Sequence, residues 1–243
     1  MGVSAVLRCL AKGRGLLAPQ ALLRKLFTPA ALALVMLTGA TSLQAADSKL
    51  VRILAFGDSL TAGYGLEQMS DSFPAQLEKA LKAKGHNVVL LQGGLSGDTS
   101  SGGRSRLEWS LAEKPDAVIV ELGGNDALRA IDPAITVDNL RAIVKRIQQD
   151  GTPVLIAGMM APPNLGRDYG GRFNPIFAQV AQETGAPLYP FFLDGAVTVP
   201  NLMQGDHIHP NPQGVKAIVA RILPAAEKLV AEAEKHLAMS VKK

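Results

Sequence analysis

The sequence predicts an α/β fold in which a five-stranded parallel sheet lies between two layers of helices. Five short apolar runs, each bounded by Gly, Pro, Asn or Asp, occupy residues 51–56, 87–92, 116–122, 153–158 and 187–191. The runs are continuous rather than alternating, which is typical of parallel strands buried on both faces. Helical patterns separate them, and this repeating order predicts right-handed crossovers in a three-layer αβα sandwich.

Amphipathic helical patterns fill the intervals between the apolar runs. Their apolar residues recur at spacings of three and four, and Gly85 and Gly151 stand where a helix can end favourably. The helical segments are residues 72–85, 104–114, 136–151, 172–185 and 211–237. The last of them contains Pro224, where a bend is expected. Because ligands bind beyond the carboxyl ends of parallel strands, the polar residues that follow each strand are the candidates for a functional site.

Residues 1–46 have the pattern of a secretory signal peptide. Five cations and no acidic residue precede an apolar run from Leu26 to Ala40, and small residues follow it. This run is shorter than the ~20 apolar residues of a spanning helix and contains Pro29, which disfavours an uncleaved anchor. We therefore expect a signal peptide over residues 1–46, a single domain over residues 47–243, and a periplasmic or secreted protein.

The charge balance changes when the leader is set aside. The full chain has 25 Lys and Arg against 21 Asp and Glu; removing the five leader cations leaves 20 against 21, a net charge of −1. This balance gives no indication of a nucleic-acid partner. The only cysteine, Cys9, also lies in the leader, so the remaining chain needs no disulfide and binds no metal through a thiolate.

Four clusters of Gly, Ser, Asn, Asp and His stand where strands give way to helices. Residues 57–60 follow the first strand, residues 93–103 follow the second, and residues 123–126 follow the third. Residues 206–210 precede the last helix. Parallel strands end at a common edge, so these clusters are expected to converge there.

Together these clusters contain the groups that acyl transfer to a serine requires. Ser59 is the candidate nucleophile, with His209 as the base and Asp206 as the carboxylate that holds the imidazole. Asp206 and His209 are three residues apart, close enough to interact within one turn. The Ser59 N–H, the Gly97 N–H and the Asn125 amide are the candidate donors of an oxyanion hole.

Each of these residues also has a plainer interpretation. Ser59 or Asp58 could cap a helix, Gly97 could only permit a positive φ, and Asn125 could be an ordinary turn residue. His207 and His209 form a His-x-His pair of a kind found in metal sites. No third ligand is evident in the sequence, however, so no metal site is predicted and His207 is expected to be solvated or packed in a loop.

Five further polar residues are given structural or peripheral roles. Asp58 is expected to bond local backbone and hold the turn, and Asp126 to cap a helix or accept locally. Asp194 is another candidate for the carboxylate that holds His209, but it is too distant from His209 in the sequence to imply a local contact. His86 is expected to be a solvated loop residue, and Tyr64 to border the mouth of the site or cap a loop.

With all four blocks present in order, the sequence resembles the GDSL, or SGNH, hydrolase family. GDSL carries Ser59, SGD carries Gly97, GGND carries Asn125, and DHIH carries Asp206 and His209. The longer segments FGDSLTAGYGL, LSGDTSSGG, VELGGNDALR and DHIHPNPQG most resemble the exported arylesterase, thioesterase I and lysophospholipase-like branch. The resemblance implies a flavodoxin-like fold with strand order 2-1-3-4-5, and hydrolysis of carboxylic esters or thioesters without a cofactor.

The substrate is less constrained than the chemistry. In the family, loops after Asn125 and after the fourth strand line the acyl side of the site, so Leu128, Ile131 and Ile208 are candidate acyl contacts, each equally plausible as core. A small-molecule acyl ester, thioester or lysophospholipid is the implied partner, with no nucleic acid and no stable membrane span after signal cleavage. A carbohydrate O-deacetylase and a non-catalytic binding protein on the same fold remain as alternatives, and acyl length and oligomeric state stay open.

Overall fold

A computed structural model describes residues 49–240 of the chain. The expected signal peptide at residues 1–46 lies outside these residues. The strands are β1 (Val51–Gly57), β2 (Val88–Gly94), β3 (Ala117–Glu121), β4 (Val154–Ala157) and β5 (Leu188–Tyr189). They form one parallel sheet in the order β2-β1-β3-β4-β5, which confirms the order implied by the family resemblance.

The helices of the described part alternate with the strands. They are α1 (Ser59–Ala62), α2 (Phe73–Ala83), α3 (Ser100–Leu111), α4 (Gly124–Leu128), α5 (Pro133–Gln149), α6 (Gly166–Phe173), α7 (Ile176–Thr184) and α8 (Pro212–Ser240). All five predicted helical segments contain a helix. The long final helix continues through Pro224 to Ser240.

For two of the predicted helical segments, the structure shows why the observed helices differ from the prediction. The helix α3 begins at Ser100 because the Thr99 hydroxyl accepts the Gly102 N–H at 3.2 Å and caps the first turn. Part of the glycine- and serine-rich stretch that follows β2 is therefore helical. The segment 172–185 is divided between α6 and α7 at Pro175, which lacks the N–H that a continuous helix would use.

The helices pack as two layers on the sheet. On one side α2 packs against α8, and on the other α5 packs against both α3 and α7. The residues of β3 and β4 are fully buried, as expected for central strands covered on both faces. None of the helices in residues 49–240 combines the length and apolar character needed to cross a membrane.

The register of the sheet brings three loop starts to one level. Gly57 at the end of β1 lies opposite Gly94 of β2 and Glu121 of β3. The chain therefore leaves all three strands at the same edge, with Ser59, Gly97 and Asn125 two, three and four residues beyond this level. This edge carries the candidate site.

Candidate active site

Ser59 stands at the start of the short helix α1, immediately beyond the end of β1. Asp58 caps this helix, because its Oδ1 accepts the Leu60 N–H at 3.0 Å. This confirms the expectation that Asp58 bonds local backbone. A Cβ on Gly57 would lie 2.6 Å from Glu121 Oε2 and 2.7 Å from the Glu121 carbonyl oxygen. Close packing against Glu121 therefore requires glycine at position 57, independently of any turn conformation.

Ser59, His209 and Asp206 form a continuous hydrogen-bonded chain. The distance from Ser59 Oγ to His209 Nε2 is 2.9 Å, and that from His209 Nδ1 to Asp206 Oδ2 is 2.6 Å. A carboxylate can only accept, so the Nδ1–H donates to Asp206 and Nε2 accepts from the Ser59 hydroxyl. This tautomer leaves Nε2 ready to take a proton from Ser59.

The turn before α8 holds the Asp206 carboxylate in its ionised form. Asp206 Oδ1 accepts the backbone N–H groups of Ile208 and His209 at 2.9 and 3.0 Å. Partial burial opposes ionisation, but the hydrogen bond from the His209 ring and these two N–H groups outweigh it and lower the pKa of Asp206 to about 2. His207, at φ 59°, lies in the left-handed region and is exposed.

The Gly97 N–H is one of the backbone donors of its loop that have no partner within residues 49–240. The Leu95 N–H bonds the Gly57 carbonyl at 3.1 Å, and the Asp98 N–H bonds the Leu95 carbonyl at 3.1 Å. Arg129 Nη2 donates to the Gly97 carbonyl oxygen at 2.8 Å. Gly97 has φ 80°, so the alternative role of permitting a positive φ applies to it as well.

Asn125 is tied to the residue before the nucleophile. Its Nδ2 donates to Asp58 Oδ2 at 3.0 Å, which uses one of the two amide hydrogens. The second hydrogen remains available for another acceptor. Asn125 is in the first turn of α4, after Gly123 at φ 112°. It is therefore not an ordinary turn residue, because its side chain also bonds the residue that precedes Ser59.

Arg106, on α3, connects the strand ends beneath the site. Its Nε donates to Asp98 Oδ2 at 2.6 Å, its Nη1 to the Gly93 carbonyl at 3.0 Å and its Nη2 to the Gly57 carbonyl at 2.8 Å. The guanidinium also lies 4.2 Å from the centre of the Phe56 ring. Sequence patterns do not identify this residue, since an arginine within a helical pattern carries no signal for contacts with distant carbonyl groups.

Two buried carboxyl groups lie behind Ser59. Glu121 Oε2 accepts the Thr61 hydroxyl at 2.8 Å and the Asp58 N–H at 3.3 Å, whereas Oε1 has no partner in the described part of the chain. Burial, with a contribution from the Asp58 charge, raises the pKa of Glu121 well above its ordinary value. Burial also raises the pKa of Asp58 to about 6, although the Leu60 N–H and the Asn125 amide favour its ionised form.

Asp126 has a different role from the one expected. Gly123 occupies the N-cap position of α4, and Asp126 is fully buried. Its carboxylate accepts the Ser100 N–H at 2.7 Å, the Ser100 hydroxyl at 2.5 Å and the Thr136 hydroxyl at 3.0 Å. Asp126 thus joins the starts of α3 and α5 rather than capping its own helix.

The three candidate acyl contacts lie outside the core. Leu128 and Ile208 are 47% and 42% exposed, and Ile131 is half-buried. None of the three belongs to the buried apolar cluster of the described residues. This removes the alternative that they serve as core packing. Tyr64 is exposed, and its ring centre lies 4.7 Å from that of His209.

The remaining polar residues are engaged elsewhere. Asp194 lies 3.1 Å from Arg221 and has no contact with His209 among the described interactions, so it is not a rival to Asp206. His86 is partly buried with its Nε2 3.5 Å from Glu227, which differs from the solvated loop residue expected. In residues 49–240, no three His, Cys, Asp or Glu side chains are grouped so as to hold a metal ion.

Comparison with known proteins relates this arrangement to a single family of hydrolases. Residues 55–217 match the profile of the GDSL-like Lipase/Acylhydrolase family. The chain is 36% identical to Esterase TesA of Pseudomonas aeruginosa over 209 residues, which cover 86% of this chain and all of that protein. It is also 36% identical to the Arylesterase of Vibrio mimicus over 196 residues, covering 80% of this chain and 94% of that protein.

A third relative and a solved structure agree with these matches. The chain is 38% identical over 160 residues to Thioesterase 1/protease 1/lysophospholipase L1 of Escherichia coli K12, covering 65% of this chain and 75% of that protein. The crystal structure of AlinE4, an SGNH-hydrolase family esterase, superposes with a TM-score of 0.63 at 44% identity. That superposition covers 74% of this chain and 96% of AlinE4.

Proposed function

Since the chain belongs to the GDSL-like lipase/acylhydrolase family and is a carboxylic ester hydrolase, we propose that Ser59 is its nucleophile, with His209 as base and Asp206 as orienting carboxylate. The observation that carries the proposal is the unbroken chain of hydrogen bonds from Ser59 Oγ through the imidazole to Asp206. Such a chain lets a neutral histidine deprotonate a serine hydroxyl.

Acylation begins with proton transfer from Ser59 Oγ to His209 Nε2 as Oγ attacks the carbonyl carbon of the ester. The carbonyl π bond becomes an oxyanion, and His209 becomes an imidazolium that the Asp206 carboxylate stabilises. The intermediate then collapses: the carbonyl re-forms, the bond to the leaving oxygen breaks, and His209 gives its proton to that oxygen. The alcohol departs and leaves an acyl-Ser59 ester.

The oxyanion of this intermediate needs donors that are already in position. We propose the N–H of Ser59, the N–H of Gly97 and the second hydrogen of the Asn125 amide. Ser59 is the first residue of α1. The N–H groups of a first helical turn have no acceptor within the helix, which supports the role of the Ser59 N–H. The proposal is further supported by the unpaired Gly97 N–H and by the Asp58 bond that fixes one side of the Asn125 amide.

Deacylation repeats the same steps with water as the nucleophile. His209 takes a proton from water as the water oxygen attacks the acyl carbon, and the same donors bind the second oxyanion. Collapse breaks the bond to Ser59 Oγ, which regains its proton from His209 while the carboxylic acid departs. No cofactor enters either half-reaction.

We propose carboxylic esters as the principal substrates, with acyl thioesters and lysophospholipids as further members of the class. The names of the three relatives support this range. Leu128, Ile131 and Ile208 are proposed to contact the acyl chain, because they offer apolar surface outside the core. The proposal includes export: residues 1–46 act as a signal peptide, and the domain of residues 47–243 works in the periplasm or outside the cell.

A chain-length series of p-nitrophenyl esters, from acetate to palmitate, tests the function. The protein lacking residues 1–46 is compared with its Ser59→Ala variant. We expect activity on chains longer than acetate and its loss in the variant. Activity restricted to acetate would instead indicate a carbohydrate O-deacetylase. Equal turnover by both proteins would contradict the serine mechanism, and no turnover of any ester by either protein would favour a binding protein.

A further inference from the structure

We propose that Tyr64 forms part of the leaving-group side of the site and gives the enzyme a preference for esters of phenols. This inference rests on the serine mechanism proposed above and assigns a residue to the preference for aryl esters that the name of the Vibrio mimicus relative suggests. The Tyr64 and His209 rings lie with their centres 4.7 Å apart and their planes inclined by 42°. Tyr64 nevertheless remains 55% exposed. An accessible aromatic surface therefore borders the imidazole that carries the proton.

The direction of proton transfer determines where the leaving group lies. His209 Nε2 must come within about 2.6–3.2 Å of the leaving oxygen in order to protonate it. The first atoms of the leaving group therefore contact the imidazole ring. In residues 49–240, Tyr64 is the aromatic residue whose ring contacts this imidazole. A planar leaving group attached to that oxygen is thus within reach of the Tyr64 ring.

Tyr64 is fixed relative to both ends of the proton relay. Its backbone N–H donates to the Ser59 carbonyl at 3.1 Å, and its own carbonyl accepts from Gln204 Nε2 at 2.8 Å. The Gln204 backbone N–H in turn donates to the His209 carbonyl at 2.7 Å. Gly65, with φ 73° and no side chain, leaves room for the Gln204 amide. The backbone of Tyr64 is therefore held in place before substrate arrives, so binding an aryl group requires no rearrangement of this loop.

The expected gain follows from the energetics of aromatic pairs. Rings whose centres are 4.5–7 Å apart attract each other beyond the area they bury, which corresponds to a roughly two- to tenfold preference. An aryl leaving group benefits from this attraction, whereas a saturated leaving group makes only ordinary apolar contact. A leucine at position 64 would supply the ordinary contact alone.

The test compares two acetates that differ only in the leaving group. Phenyl acetate and hexafluoroisopropyl acetate form the same acetyl-enzyme, and their alcohols are of similar acidity. We expect Tyr64→Leu to lower the ratio of kcat/KM for the phenyl ester to that for the alkyl ester by roughly two- to tenfold. Tyr64→Phe keeps the ring and is expected to retain the wild-type ratio.

The outcomes separate this inference from the serine mechanism. An equal loss of kcat/KM on both esters in Tyr64→Leu would show that Tyr64 only orients His209. Wild-type kcat/KM on both esters would exclude contact between Tyr64 and the leaving group. Either result overturns the proposal. Trp109→Leu, which removes a 79% exposed aromatic side chain from α3, is the matched control and should keep the ratio. Ser59→Ala tests the mechanism independently, because it should abolish turnover of both esters.

Discussion

The buried carboxylate of Asp58 makes the stability of the enzyme depend on pH in a predictable window. Burial raises the pKa of Asp58 from its ordinary 3.8 to about 6. At roughly 1.36 kcal/mol per pKa unit, this difference corresponds to about 3 kcal/mol. Because the folded state holds the proton more tightly, the contribution is fully present below pH 3.8 and is lost as the pH rises through about 6.

The Asp58→Asn variant isolates this contribution, since asparagine has a similar shape and does not titrate. We expect the free energy of unfolding of the wild type, minus that of the variant, to fall by about 2.4 kcal/mol between about pH 4 and about pH 7.5. Urea denaturation at a series of pH values measures it. Subtraction removes the contribution of groups whose pKa does not depend on Asp58, such as Asp206, whose lowered pKa acts in a more acidic window.

The ionisable groups that face Asp58 are Glu121 from β3, Asp98 from the Gly97 loop and His209 from the turn before α8. Burial and the Asp58 charge raise the pKa of Glu121 well above its ordinary value, which disfavours a second buried charge beside Asp58. Asp168→Asn, which replaces an exposed aspartate on α6, is the control and should follow the wild-type pH dependence. A constant difference between wild type and Asp58→Asn from pH 4 to 7.5 would refute the reasoning.

Three further substitutions test other parts of the site. Asn125→Ala removes a proposed oxyanion donor and is expected to lower kcat about a hundredfold or more with little change in KM on p-nitrophenyl butyrate; an unchanged kcat would exclude that role. Gly57→Ala brings a Cβ within 2.6 Å of Glu121 Oε2, and urea denaturation should show a loss of roughly 1–3 kcal/mol; a wild-type midpoint would contradict it. Arg106→Lys keeps the charge but cannot reach Asp98 and both strand-end carbonyls together, so kcat should fall about tenfold or more in steady-state assays; wild-type kcat would show that the guanidinium fork is dispensable.

The sequence was sufficient to predict the sheet and the proximity of Ser59, His209 and Asp206 because both depend on local patterns. Continuous apolar runs identify buried parallel strands, and parallel strands bring their following loops to one edge. Asp206 and His209 lie three residues apart, so one turn brings them into contact. The parallel topology of the sheet then brings Ser59 to the edge where these two residues lie. The assignment of catalytic roles to these residues remains a prediction that awaits the measurements above.

The hydrogen bonds that hold the loops around the site could not be predicted from sequence patterns, because their acceptors are backbone carbonyl groups far away in the sequence. Arg106 binds the carbonyl of Gly57, and Gln204 binds that of Tyr64. Every residue except proline offers the same pair of backbone groups, so the sequence has no feature that selects one carbonyl over another. Asp126 was misread for a related reason: its position near a helix start favours capping, whereas its partners belong to two other helices.

The three residues Gly57, Asp58 and Ser59 satisfy three different physical requirements at one strand end. Gly57 leaves space that the Glu121 carboxyl and the Thr61 side chain occupy. Asp58 accepts from the Leu60 N–H that starts α1 and from the Asn125 amide across the site. Ser59 then emerges beside the imidazole. Burial and the Asp58 charge raise the pKa of Glu121, which disfavours a second buried charge beside Asp58. An ionised Asp58 gives the Asn125 amide a charged acceptor. Changes at position 57 should therefore act on stability, and changes at position 58 on its pH dependence.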